Sequence, residues 1–108
     1  MCDFSPPKDG VKHDSGKDEW TLLPWPQLQP VVRVLMFGAK KYSVDNWKKV
    51  LGGPDRYINA ALRHIVAHTN GERQDNESGE AHLAHAVCSL LFAMYHDTKP
   101  EDDLKGNK

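Results

Sequence analysis

Residues 80–96 read EAHLAHAVCSLLFAMYH, and this stretch decides the fold class. At about 100° per residue, one side of a helix collects the large apolar residues Leu83, Val87, Leu90, Leu91 and Met94. A second stripe carries the polar and small residues His82, His85, Ala86, Ser89, Ala93 and His96. This periodicity predicts an α-helix from about Glu80 to His96, with two histidines one turn apart beside small side chains.

Two upstream segments also have helical periodicity. A helix is predicted from about Asp55, as its N-cap, to Thr69, and Asn70-Gly71 ends it with a glycine suited to positive φ. Its predicted core stripe is Ile58, Ala61, Leu62, Ile65 and Val66. An earlier helix is predicted from near Pro26 to Lys41. With no alternating β-branched runs, the chain is predicted to be all-α, a small bundle of about three main helices.

The remaining segments set the domain boundaries. We predict an irregular N-terminal segment at 1–19, a single helical domain at 20–98 and a charged tail at 99–108. Prolines 24, 26 and 30 predict that residues 20–30 are extended and pack along the outside of the helices. Apolar helix faces left uncovered by so small a bundle predict completion by oligomerisation.

Composition excludes several classes of function. The 108 residues carry 14 Lys and Arg against 15 Asp and Glu, which argues against a simple cationic nucleic-acid binder. The longest apolar run, Leu90 to Tyr95, is far shorter than the roughly 20 residues that span a bilayer. There is no signal-peptide pattern, and Cys2 and Cys88 form no disulfide framework, so a cytoplasmic location is predicted.

Histidines and carboxylates form the first candidate site. Of six histidines, four lie between His64 and His85, on either side of a polar loop with three carboxylates. Imidazole and carboxylate at this spacing suit a divalent metal, Mg²⁺ or Mn²⁺. The alternative is that these histidines are hydrogen-bonded core residues. His96 lies near the helix end and is predicted to be solvated.

A second cluster is basic and aromatic. It comprises Lys40, Lys41, Tyr42, Asn46 and Trp47. Lysines pair with phosphate, aromatic rings stack on a base, and an amide can bond a base edge. The alternative is structural: lysines favoured at a helix C-terminus, followed by a hydrophobic loop anchor.

Four motifs together resemble a known family. They are KxDxGKxxWxLLP at 12–24, FGAKKYxxxNW at 37–47, RYxxAxxRH at 56–64 and GExxDxESGxxHLAHA at 71–86. Over residues 10–95 the chain resembles the phage dATP/dGTP diphosphohydrolase family, which is grouped with MazG-like all-α nucleoside triphosphate pyrophosphohydrolases. The last motif is the most specific, because its charged residues keep a fixed spacing from a loop into a helix.

The resemblance implies hydrolysis of dATP or dGTP to the monophosphate and pyrophosphate, in the host cytoplasm. It also implies Mg²⁺ or Mn²⁺ and a homo-oligomer, a dimer or tetramer, with no membrane or direct nucleic-acid partner. Some such phages use 2-aminoadenine in their DNA, and there the enzyme removes dATP and supplies dGMP. The choice between dATP and dGTP is open. The Glu-x-x-Glu pair typical of MazG-like proteins is absent from the second predicted helix, which leaves the metal ligands open.

Roles for individual residues follow from both lines of reasoning. The predicted metal ligands are Glu72, Asp75, Glu77, His82 and His85. The predicted catalytic residues are His64, Glu77 and Arg63. The predicted substrate-binding residues are Lys40, Lys41, Tyr42, Asn46, Trp47 and Arg63. Two alternatives stay open: a non-catalytic helical interaction module with a structural His/carboxylate metal site, and a phosphohydrolase that releases orthophosphate.

Overall fold

A computed structural model describes residues 9–98. It contains three α-helices, which we label α1 (Trp25–Lys41), α2 (Gly53–Thr69) and α3 (His82–Asp97). Two short 3₁₀ turns lie at Trp20–Leu22 and Asn46–Lys49. Within residues 9–98 there is no strand, and one antiparallel bridge joins Gln74 to Ala81. The all-α prediction is confirmed, while the predicted tail at 99–108 and the first eight residues of the predicted N-terminal segment lie outside the described residues.

The α2 helix begins two residues earlier than predicted. Its N-cap is Gly52, with φ 113°, and Pro54 occupies the first turn, where a missing N–H has no intrahelical partner. Asp55 was predicted as the N-cap and lies instead within the first turn, near the positive end of the helix dipole. At the other end Gly71 has φ 99°, which confirms the predicted glycine stop.

Two overlapping predictions cover the proline-rich segment: the helix from near Pro26 is confirmed, whereas the extended conformation of residues 20–30 is wrong from Trp25 onward. Helix α1 already includes Trp25–Pro30, because Pro24 serves as the N-cap and Pro26 lies in the first turn. Pro30 removes one hydrogen bond near the start of the helix, at a point where α1 continues for three further turns. Only part of the segment packs on the described helices: Leu28 packs against the core, whereas Trp20 and Trp25 are 67% and 54% exposed.

The core is built around α3. Val31 and Val34 of α1 pack against Ala84 and Cys88 of α3, and the Cys88 thiol donates a hydrogen bond of 3.4 Å to the Val31 carbonyl. Burial raises the pKa of that thiol to about 12, so Cys88 is an unreactive core residue.

Helices α2 and α3 pack through small side chains. Ala61 of α2 and Ala86 and Ala93 of α3 are buried. Of the predicted α2 core stripe only Ala61 is buried, so that prediction is wrong for the large residues, with Leu62 51% exposed. The large apolar side chains of α3 also point outward and are 39–64% exposed. The close approach of the two helices needs small residues, and this brings the histidine stripe of α3 against α2.

The three helices of residues 9–98 are each too short, or too polar, to cross a membrane.

Candidate metal and nucleotide site

Three histidines from two helices meet where α2 packs on α3. His64 of α2 lies with its Nδ1 atom 2.8 Å from Nδ1 of His82, the first residue of α3. The ring of His85, one turn further on, stacks on His64 with centroids 4.6 Å apart and planes at 13°. Two N–H groups cannot point at each other at 2.8 Å, so at least one of these two nitrogens is unprotonated and presents its lone pair.

The second nitrogen of His82 identifies its tautomer. His82 is buried, and its Nε2–H donates a hydrogen bond of 3.1 Å to the carboxylate of Glu72. With the proton assigned to Nε2, the lone pair lies on Nδ1 and points towards His64. This carboxylate–imidazole arrangement is the one that orients histidine ligands in metal sites.

A tight loop between α2 and α3 carries Asp75 to the same place. The Asp75 carboxylate accepts the backbone N–H groups of Glu77 and Ser78 at 3.0 and 2.9 Å. Backbone bonds at each end, from Asp75 N–H to the Glu80 carbonyl and from His82 N–H to the Arg73 carbonyl, close the loop. Asp75 is therefore held by the main chain rather than by a neighbouring cation.

Ser78 links the loop to His85. The Ser78 hydroxyl oxygen accepts the Glu80 N–H at 3.1 Å and shares a hydrogen bond of 2.6 Å with Nε2 of His85. Asp75 lies further from the same nitrogen, at 3.9 Å. The hydroxyl is thus committed to both partners, and it fixes the orientation of the ring that stacks on His64.

The surroundings of His64, His85 and Asp75 lower the pKa of all three groups. Burial lowers the pKa of His64, and the neighbouring rings of His85 and His82 lower it further. Burial also lowers the pKa of His85, against the opposing effect of Asp75. Burial acts to raise the pKa of Asp75, but the hydrogen bonds from Ser78 and Glu77 and the nearby His85 outweigh it and lower that pKa. Neutral imidazoles and an ionised carboxylate are the forms that bind metals.

One ligand atom each from His64, Asp75 and His82 lies within 4.8 Å of the other two, close enough to share one metal ion. Asp75 and His82 belong to the predicted ligand set, whereas His64 was predicted to be catalytic. Of the other predicted ligands, Glu72 contacts the far side of His82, and Glu77 pairs with the Lys41 ammonium at 2.7 Å. The structure thus places the predicted histidines and acids in one region. His64, Asp75 and His82 converge on one point, whereas Glu72 and Glu77 lie beside that group.

A pocket of about 720 Å³ opens beside this cluster. Its wall includes His64, Asp75 and His85, and also the cations Lys41, Arg56 and Arg63. The Glu77 carboxylate hydrogen-bonds to Lys41 and raises its pKa, so the ammonium stays charged. This volume lies within the range of small-molecule sites.

The aromatic part of the wall has a structural function as well. Trp47 stacks on Phe92 with centroids 4.3 Å apart, and Tyr57 and His96 both donate hydrogen bonds to the Trp47 carbonyl, at 3.3 and 2.8 Å. His96 is only 6% exposed, so its predicted solvation is wrong. It lies within α3 rather than at a frayed end, and it holds the 46–49 turn against the helix.

The predicted substrate-binding residues divide into two groups. Lys41, Tyr42, Asn46, Trp47 and Arg63 line the pocket. Lys40 is exposed and is not among the residues of its wall. A helix turns by about 100° per residue, so neighbouring lysines at the end of α1 point in different directions.

Sequence analysis did not assign roles to three contributors, Ser78, Tyr57 and Arg56. The Arg56 guanidinium donates to the Leu51 carbonyl at 2.9 Å and closes the loop before α2. A signal was present for Ser78, since Asp75 followed by Glu-Ser-Gly is typical of a turn capped by a carboxylate. No sequence pattern signals the pairing of Tyr57 and His96, which are far apart in the chain.

Fold and site together define a small all-α domain with a candidate metal group beside a cation-lined pocket. The chain belongs to the family described as "dATP/dGTP diphosphohydrolase, N-terminal", whose sequence profile matches residues 7–104. A curated relative, "dATP/dGTP diphosphohydrolase" of Salmonella phage PMBT28, is 33% identical over 86 residues, which is 80% of this chain. The chain spans 29% of that relative's length. No solved structure matches the chain significantly.

Proposed function

We propose that this domain hydrolyses a purine deoxynucleoside triphosphate to the monophosphate and pyrophosphate, with a divalent metal. The observation that carries the proposal is one pocket lined both by His64 and Asp75 of the candidate metal group and by the cations Lys41 and Arg63. Metal and cations together suit a triphosphate, and the name of the phage relative supplies the base class. Deoxynucleotide hydrolysis would be performed in the cytoplasm, where these substrates occur.

The proposed roles follow the geometry. The bound metal would supply charge neutralisation and a more acidic water. Lys41 and Arg63 would bind phosphate oxygens, and Asn46 would bond the base edge. Glu77 lines the pocket outside the convergent metal group, so its carboxylate is the candidate to accept a proton once Lys41 turns to the phosphates.

We propose that a base stacks on only part of the Trp47 ring. Because Phe92 already covers one ring face, a purine has at most the rim or the opposite face of the indole. Tyr42 is 63% exposed at the pocket wall and is the freer aromatic surface. The use of the product in making 2-aminoadenine DNA remains a prediction of the family resemblance.

Product analysis tests this function. The chain is incubated with each dNTP and Mn²⁺, and monophosphate, pyrophosphate and orthophosphate are measured separately. We expect dAMP or dGMP with stoichiometric pyrophosphate. Orthophosphate as the product would establish the other hydrolase class, and no product with any dNTP would favour the structural module.

Replacing Lys41 with Ala is expected to raise KM for the triphosphate by roughly tenfold, since a charged hydrogen bond to phosphate is lost and solvent screens part of its effect. The matched control is Lys40→Ala, which removes the same charge from the neighbouring exposed position. Steady-state kinetics on both variants check the assignment. Equal effects of the two substitutions would contradict a specific phosphate contact at Lys41.

We also propose that the domain is a homo-oligomer, a dimer or tetramer. The support is the outward stripe of large apolar residues on α3, of which Met94 is 64% exposed and Leu90 42%. Contiguous apolar faces of this kind are typical of interaction surfaces. On α2, Leu62 and Val66 are likewise about half exposed, at 51% and 54%.

Replacing Leu90 with Glu is expected to convert the oligomer to a monomer of 12.2 kDa, because a buried, unpaired carboxylate is costly at an apolar interface. Light scattering coupled to size exclusion measures the mass. The control is Leu51→Glu, at a loop residue that is 82% exposed. A monomeric parent protein would show that another surface, or none, covers this face.

A further inference from the structure

We infer that the metal site takes an imidazole-preferring transition ion, of the Mn²⁺ to Zn²⁺ series, and discriminates against Mg²⁺. Its protein ligands are His64, His82 through Nδ1, and Asp75. The inference deepens the proposed function, since it names the class of cofactor for the same pocket.

The first argument is the chemistry of the three ligand atoms. Two of the three converging ligand atoms belong to imidazoles, and one belongs to a carboxylate. Mg²⁺ binds oxygen ligands and keeps most of its waters, whereas imidazole suits later first-row metals. Three protein ligands also leave coordination positions for water and substrate, as in catalytic sites.

The positions of the two nitrogens fit such an ion. His64 Nδ1 and His82 Nδ1 are 2.8 Å apart. Two nitrogens bound to one ion at about 2.0–2.1 Å lie roughly 2.9 Å apart at a right angle and about 3.4 Å apart in a tetrahedron. The observed separation is therefore close to that of two adjacent ligands of one ion.

The burial of His82 is the second observation. His82 is 5% exposed, its Nδ1 lone pair points towards His64, and its Nε2–H donates to Glu72. Glu72, one of the predicted ligands, is here assigned as a positioning residue, because its carboxylate contacts the nitrogen on the far side of the ring. Such outer partners raise the affinity of a histidine ligand without binding the metal.

The experiment titrates the apo protein with Co²⁺ alone, followed by visible absorption and calorimetry, and then with Mg²⁺ alone. We expect Co²⁺ to bind with a d–d spectrum, and millimolar Mg²⁺ neither to bind nor to displace it. His64→Ala and His82→Ala are expected to weaken Co²⁺ binding by at least about 100-fold, beyond the 10–100-fold typical of an outer partner. Glu72→Gln is expected to weaken it within that smaller range.

His68→Ala is the matched control, because His68 lies one turn after His64 on α2 and contacts Arg73 instead. It is expected to bind Co²⁺ as the parent does. His82→Gln is a second variant that keeps a polar group near Glu72 while removing Nδ1, and helical circular dichroism in EDTA confirms that each variant is folded.

Two results would overturn the inference: displacement of Co²⁺ by an equal concentration of Mg²⁺, or equal losses in His68→Ala and His64→Ala. The proposed function fails separately. Normal Co²⁺ binding without pyrophosphate release would reject the proposed function and keep the metal site. Full activity with Mg²⁺ and no selective Co²⁺ binding would reject the inferred metal preference and keep the function.

Discussion

Asp75→Asn is expected to reduce pyrophosphate release by more than about 100-fold while leaving the fold intact. Asn keeps the size of the side chain and a carbonyl oxygen to accept the Glu77 and Ser78 N–H groups. It removes the only negative charge among the three converging ligands. Because loss of even an outer partner of a metal ligand costs 10–100-fold, loss of the charged ligand itself should cost more.

The measurement is kcat/KM with saturating Mn²⁺, together with thermal unfolding in EDTA. The control is Asp55→Asn, an exposed carboxylate in the first turn of α2 that does not line the pocket. Its activity should match the parent's. Activity in Asp75→Asn within a few-fold of the parent would remove the loop from the site.

Trp47→Ala is expected to lower the free energy of unfolding by about 3 kcal/mol, at the low end for a tryptophan truncation because the residue is half-buried. The indole stacks on Phe92 and meets Tyr95 edge to face at 5.0 Å. Truncation removes both of these ring contacts at the base of the 46–49 turn. For a domain of this size, the melting temperature should fall by at least about 10 °C.

Urea denaturation of the parent and variant gives the difference directly. The control is Trp20→Ala, the same truncation at a residue that is 67% exposed, with an expected change within about 0.5 kcal/mol. Equal losses at the two positions would contradict the anchoring role of Trp47. A change in nucleotide KM is better sought in Trp47→Phe, which keeps a ring on Phe92 and separates binding from stability.

The helices were predictable because their signals are local. Apolar periodicity and the glycine stop at Gly71 each depend on a few neighbouring residues, and they place α1, α2 and α3 within two residues of their ends. The error at Trp25–Pro30 has the same origin. Prolines were counted as breakers, although Pro26 occupies a first-turn position where it is favoured.

Which residues face which partner was less predictable. Leu62 was placed in the predicted core stripe of α2, yet α2 and α3 meet through Ala61, Ala86 and Ala93. In residues 9–98 the larger apolar side chains of both helices stay partly exposed. The histidines were correctly grouped near the acidic loop, but spacing alone could not distinguish His64 from His68, one turn apart on the same helix.

The sequence by itself determined the all-α class, the helix ends, the family and the residue types of the candidate site, since these depend on periodicity, turn chemistry and local motifs. Only the tertiary structure decided that His64 joins Asp75 and His82, that Glu72 lies behind His82, and that His96 is buried against Trp47. Those pairings join residues of separate elements. They depend on how closely α2 approaches α3, which the buried alanines set and which a linear pattern does not encode.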